Sequence, residues 1–285
     1  MAFIDLLLNV AAVLLWLSWR GVPAEPITRG ALTLASNLRP AQRTRPQRWH
    51  HAIWLVGLLV FRALFYWHLG RQLGWVARWS PGAVTLAFRS DYFLRMLLFS
   101  LLGFSWSLFC VYGSMLLVTA VNRGPTQSEP FTRLIRDQLG VLGRLPAWLQ
   151  LVLPVLFLGI LWWPISIWFA WMGLLPRQPG QGMPLNPCMA VGLGGWLPWR
   201  WTLSVVLVVG VLLQHVYLGR HPFFEFIQTT HQRLMRPVSW LPLRFGSVDL
   251  RSLVVLIGLW ALVYWLRPGM PDGVLARLYQ YGLAR

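Results

Sequence analysis

Asp5, Asn9 and Arg62 are the residues with the most chemistry to offer, because each stands inside a stretch that is otherwise apolar. Asp5 and Asn9 are four residues apart and so share one face of a helix. A charge at the depth of Arg62 costs at least ~2.5 kcal/mol to insert into a bilayer. If the first two apolar stretches fold back on each other, helix rise brings Asp5 to within roughly 6 Å of Arg62 along the axis. Three chemistries are open to that arrangement. One is a buried Asp5–Arg62 pair that locks the hairpin, which is the expectation. The others are an ion or proton path, and an Arg62 that reaches a lipid headgroup through local thinning.

The six histidines are His50, His51, His68, His215, His221 and His231. A haem held by two of them needs both at one depth on facing helices. Only His68 and His215 fall in apolar stretches, near opposite ends, so no cofactor is expected. Cys110 lies in an apolar segment and Cys188 in a Pro/Gly-rich one, with neither disulfide nor metal-site spacing. Asp5, Asp91 and Asp249 stand at the ends of apolar stretches, while Glu25, Glu129 and Glu225 open amphipathic ones. No nucleophile and base share a depth, so neither an enzyme nor a metal site is expected.

The elements that must carry these residues are read from composition. Of 285 residues, 56% are hydrophobic and only 12% charged, against about a quarter charged in a soluble domain. A soluble enzyme, a disordered chain and a disulfide scaffold are excluded. All 25 basic residues are arginine, against 8 acidic ones. The arginines sit in short loops between apolar segments, which suits topology and contact with anionic lipid rather than nucleic acid. Nucleic acid is therefore not an expected partner.

Spanning a bilayer takes about 20 apolar residues. Six stretches qualify or nearly so: 2–18, 52–70, 96–121, 146–175, 201–219 and 248–266. The first is read as a true span because its charge order does not suit a signal peptide. Pro154 and Pro164 predict a kinked or broken fourth helix. More arginines follow spans one, three and five than face the other side, which puts those segments in the cytoplasm. Most of the 19 tryptophans fall near span ends as an aromatic belt, and Gly192–Gly195 reads as an external turn.

Internal similarity joins the spans into pairs. After span one comes an Arg, a Pro, then Glu25-Pro26-Ile27-Thr28-Arg29; after span three comes Glu129-Pro130-Phe131-Thr132-Arg133. After span five, Arg220-His221-Pro222-Phe223 leads to Glu225 in the same way. Each Glu opens a helically periodic stretch, with Phe223, Ile227, Leu234, Val238 and Leu241 as the apolar face of the third. An interfacial helix is expected there, with a re-entrant segment as the alternative. The fold expected is thus all-α: about six transmembrane helices in three helix–amphipathic-helix–helix hairpins. The units are 1–70, 88–175 and 200–268, followed by a C-terminal tail, 269–285.

The third hairpin resembles the YggT family of small bacterial and plastid membrane proteins. The residues that carry the likeness are His221-Pro222-Phe223, Leu234-Met235-Arg236-Pro237, Leu241-Pro242, Gly246 and Val248-Asp249-Leu250-Arg251-Ser252, within 200–268. His221 replaces that family's Asn, and its Pro after the D-L-S element is missing. The resemblance implies a non-enzymatic scaffold or assembly factor in the bacterial cytoplasmic membrane, with a membrane-protein partner and a homo-oligomer left open. The contact surface expected on this reading is Glu25, Arg29, Glu129, Arg133, His221, Pro222, Phe223, Glu225, Arg236, Pro237 and Asp249. The rival expectation is a channel or transporter for ions or small osmolytes, lined by Asp5, Arg62 and the fourth span.

Overall fold

A computed structural model describes residues 2–20, 48–123, 130–175, 185–216, 221–240, 244–245, 248–266 and 273–281. Glu25, Arg29 and Glu129 lie outside the described residues. The chain is overwhelmingly helical. Five described helical stretches are long and apolar enough to cross a membrane: Phe3–Arg20, Trp49–Leu73, Phe93–Val121, Ala147–Trp171 and Leu185–His215. The last apolar helix has only 16 residues, about 24 Å of rise.

In chain order, α1 (Ala2–Arg20) is followed by α2 (Arg48–Leu73) and a paired ribbon of β1 (Val76–Trp79) and β2 (Leu86–Arg89). Gly74, just past the end of α2, has φ +60°, the left-handed conformation that closes a helix cheaply only with glycine. Next come α3 (Phe93–Val121), α4 (Pro130–Leu139), α5 (Ala147–Trp171), α6 (Leu185–Gly194) and α7 (Trp199–His215). The chain finishes with α8 (Pro222–Met235), the ribbon β3 (Arg244–Phe245) and β4 (Val248–Asp249), then α9 (Arg251–Leu266) and α10 (Val274–Tyr281). The antiparallel register of the second ribbon sets Arg244 opposite Asp249.

Two compact units emerge: Met1–Val76 with Arg89–Leu108, and Ala77–Phe88 with Phe109–Arg285. Their boundary runs through α3, inside the stretch read above as the second hairpin. In the first unit α1 packs on α2, and Ala12, Leu55, Leu59 and Phe104 form an apolar core. The edge of Trp16 meets the ring of Phe104 at 6.1 Å and ties α3 to α1.

In the second unit α5 and α6 pack through glycines. A Cβ at Gly192 would stand 2.8 Å from the Val155 carbonyl and 3.5 Å from the Gly159 Cα. Small residues at a crossing let two backbones approach closely, which replaces the hydrophobic drive that lipid removes. Helix α6 is also covered by α10, whose Leu275 and Tyr279 are buried. Helix α7 meets both α8 and α9, and α4 meets α8.

Three expectations are corrected. Gly192–Gly195 is not an external turn: Gly192, Gly194 and Gly195 are buried where α6 ends against α5. The fourth span is not broken, since α5 runs through both Pro154 and Pro164. There the Trp196 indole donates to the Leu151 carbonyl at 2.9 Å, next to the carbonyl that Pro154 cannot serve. The helical break lies instead between α6 and α7, at 195–198. Finally, 269–285 is not merely a tail, because it contains the packed helix α10.

Candidate functional site

Arg62 projects from the middle of α2 and is 1% exposed. Its Nη2 donates to Asp5 Oδ1 at 2.5 Å and its Nη1 to Asn9 Oδ1 at 2.7 Å. The i,i+4 spacing of Asp5 and Asn9 on α1 puts both acceptors on the face that meets α2. Tyr66, one turn beyond Arg62, donates its hydroxyl to the same Asp5 oxygen at 2.8 Å. The amide of Asn9 donates to Asp5 Oδ2 at 3.3 Å, so both carboxylate oxygens are engaged.

The helix behind the guanidinium is shaped for it. The Arg62 Cζ lies 5.7 Å from the ring centres of both Tyr66 and Phe99, within cation–π range. A Cβ at Gly103 would come within 2.6 Å of Nη2, so a larger residue there would have to push the guanidinium away from its partners. Ser100, also on α3, donates to the Leu59 carbonyl at 3.0 Å and holds α3 against α2. Arg62 Nε alone has no hydrogen-bond partner. The charge is neutralised within the unit, and the cluster joins three helices in one polar knot.

The predicted contact surface falls mainly on α4 and α8. These two amphipathic helices meet: the Phe131 ring stands 5.8 Å from Phe223 and 5.9 Å from Phe226. Arg133 on α4 and Phe223, Glu225, Arg236 and Pro237 on or beside α8 are exposed. His221 is the N-cap of α8, and its Nδ1 accepts the Phe223 amide at 3.2 Å. Pro222 occupies the first turn, where its missing N–H costs nothing. Glu225 in that turn suits the positive end of the helix dipole. Asp249 is in β4, apart from the helix pair in sequence.

Other polar residues were not anticipated. The inner face of α8 is Phe226, Ile227, Thr230 and His231, all buried, rather than a face that includes Phe223. His231 is 2% exposed and its Nε2 shares a 2.8 Å hydrogen bond with the Ser252 hydroxyl. The imidazole lies over Gly210, where a Cβ would stand 2.4 Å from the ring. Thr230 accepts the Asn122 side-chain amide at 2.7 Å. Gln150, fully buried, donates to the carbonyls of Leu142 and Gly143, both at 3.1 Å. For Thr230 and His231 the sequence signal is polar residues recurring on the apolar side of the amphipathic helix α8.

His68 lies within α2 with its Nε2 3.3 Å from the Gln72 side-chain amide, His215 is the last residue of α7, and the described residues contain no group of three metal-ligating side chains. Comparison with family models, with curated proteins and with solved structures finds no match to this chain.

Proposed function

We propose that this chain is a non-enzymatic scaffold or assembly factor of YggT type in a bacterial cytoplasmic membrane. On this reading its six membrane helices are arranged as three hairpins, and its amphipathic helices face the cytoplasm and anionic lipid. The observation that carries it is the way α8 is held. Its inner face is tied into the helices by Thr230 and His231, while Glu225, Gln228, Gln232 and Arg236 stay exposed. A helix fixed on one side and polar on the other is a preorganised docking surface, which lowers the ordering cost of binding.

Photo-crosslinking in native membranes tests this. A crosslinking residue at Gln228 or Gln232 is expected to give a discrete protein adduct that Glu225→Arg removes. A residue at lipid-exposed Leu262 should give none. Adducts of equal intensity at all three positions would sink the scaffold reading.

The second reading is a channel or transporter for ions or small osmolytes. It is favoured by the break between α6 and α7 inside one long apolar stretch, because transport sites are built at discontinuous helices. Against it stands the Arg62 cluster, whose charge is already met by protein groups. Flux through liposomes that depends on Asp5 and Arg62 would favour this second reading.

A further inference from the structure

We propose that Arg200, Trp201 and Trp260 form a binding notch for the phosphate of a phospholipid headgroup. Arg200 lies in the first turn of α7. Its Cζ stands 5.4 Å from the ring centre of Trp201 and 6.0 Å from that of Trp260. The two indoles meet edge to face at 5.3 Å. Trp260 Nε1 donates to the Ser204 hydroxyl at 3.1 Å, so the wall from α9 is tied to α7.

The contrast with Arg62 shows what this site lacks. Arg62 has a carboxylate, a side-chain amide and a tyrosine at hand. Arg200 has two aromatic faces, a buried Nε without a hydrogen bond, and no carboxylate of the described residues within ion-pair distance. Cation–π contact compensates only part of the cost of a guanidinium among apolar groups. An oxyanion supplies the remainder, because the guanidinium fork matches two phosphate oxygens.

Position selects a lipid as the source. Trp201 is 57% exposed and Trp260 38% exposed, so the notch opens onto the surface of the helices that lipid covers. Trp260 lies six residues before the end of α9 at Leu266, about 9 Å of rise. That is within the reach of a long basic side chain toward the headgroup layer.

Native mass spectrometry of the full chain in mild detergent tests the site, with dioleoylphosphatidylglycerol as the probe and dioleoylglycerol as its phosphate-free control. Wild type is expected to retain the phospholipid through collisional stripping and to release the diacylglycerol. Arg200→Gln should weaken retention about tenfold, the loss of one charge-assisted contact. Trp260→Leu, which keeps the charge and removes a wall, should weaken it several-fold. Exposed Arg78→Gln should leave it unchanged. The site is overturned if Arg200→Gln or Trp260→Leu retains the lipid as wild type does, or if Arg78→Gln loses it equally. Equal retention of diacylglycerol would assign an apolar groove, and displacement by millimolar inorganic phosphate a free-anion site; either overturns the lipid assignment.

Discussion

Gly103 faces Arg62 so closely that a Cβ there would lie 2.6 Å from the guanidinium Nη2. The glycine on α3 and the arginine on α2 are therefore one structural choice. Gly103→Ala is expected to destabilise the protein by about 1–3 kcal/mol, the usual cost of overpacking. In an Arg62→Leu background the same change should cost little. Denaturant melts of the four proteins in detergent check this, and a cost that persists without Arg62 would show that the clash lies elsewhere.

Asp5→Ala leaves the Arg62 charge buried without its counter-ion. A loss of about 3 kcal/mol is expected from breaking a buried pair on one side only. Adding Arg62→Leu should return part of that loss, since an apolar side chain needs no partner. A double mutant no more stable than Asp5→Ala would remove the pair from the account of the hairpin.

Gly210 and His231 form a second coupled pair, with the imidazole seated where a Cβ at position 210 would collide. Gly210→Ala should cost about 1–3 kcal/mol and speed hydrogen exchange throughout α8. Combined with His231→Gly, which also removes the His231 Cβ that would stand 2.7 Å away, it should add almost nothing further. Exchange that changes in α7 alone would show that α8 does not depend on this contact.

His221 caps α8 through Nδ1, a role that asparagine also fills at helix N-termini. His221→Asn should keep the cap and leave stability within a few tenths of a kcal/mol. His221→Ala should cost about 1 kcal/mol and speed exchange of the Phe223 amide. Equal exchange in both variants would mean the cap does not hold the helix start.

What was legible in the sequence follows from contrast with the surroundings. Asp5 and Arg62 stood out because charges are rare in apolar stretches, and helical period placed them at matching depth. Helices α4 and α8 were legible from the amphipathic spacing that follows Glu129 and Glu225. The short α6 was not, because Asn186, Pro187 and the glycines read as a loop. Those same glycines make the close contact with α5, an advantage that exists only once α5 is beside them. The β1–β2 ribbon was missed because four-residue strands carry too little alternation to stand out.

By itself, the sequence determined the membrane character, the mostly helical fold and the need of Arg62 for a partner, because these depend on composition and local period. Only tertiary structure decided which face of α8 is inward and which polar groups meet. Asn122 and Thr230 are 108 residues apart and His231 and Ser252 are 21 apart. Such pairings arise from how helices pack, because in an apolar setting a buried polar group can draw its partner only from the neighbours that packing supplies.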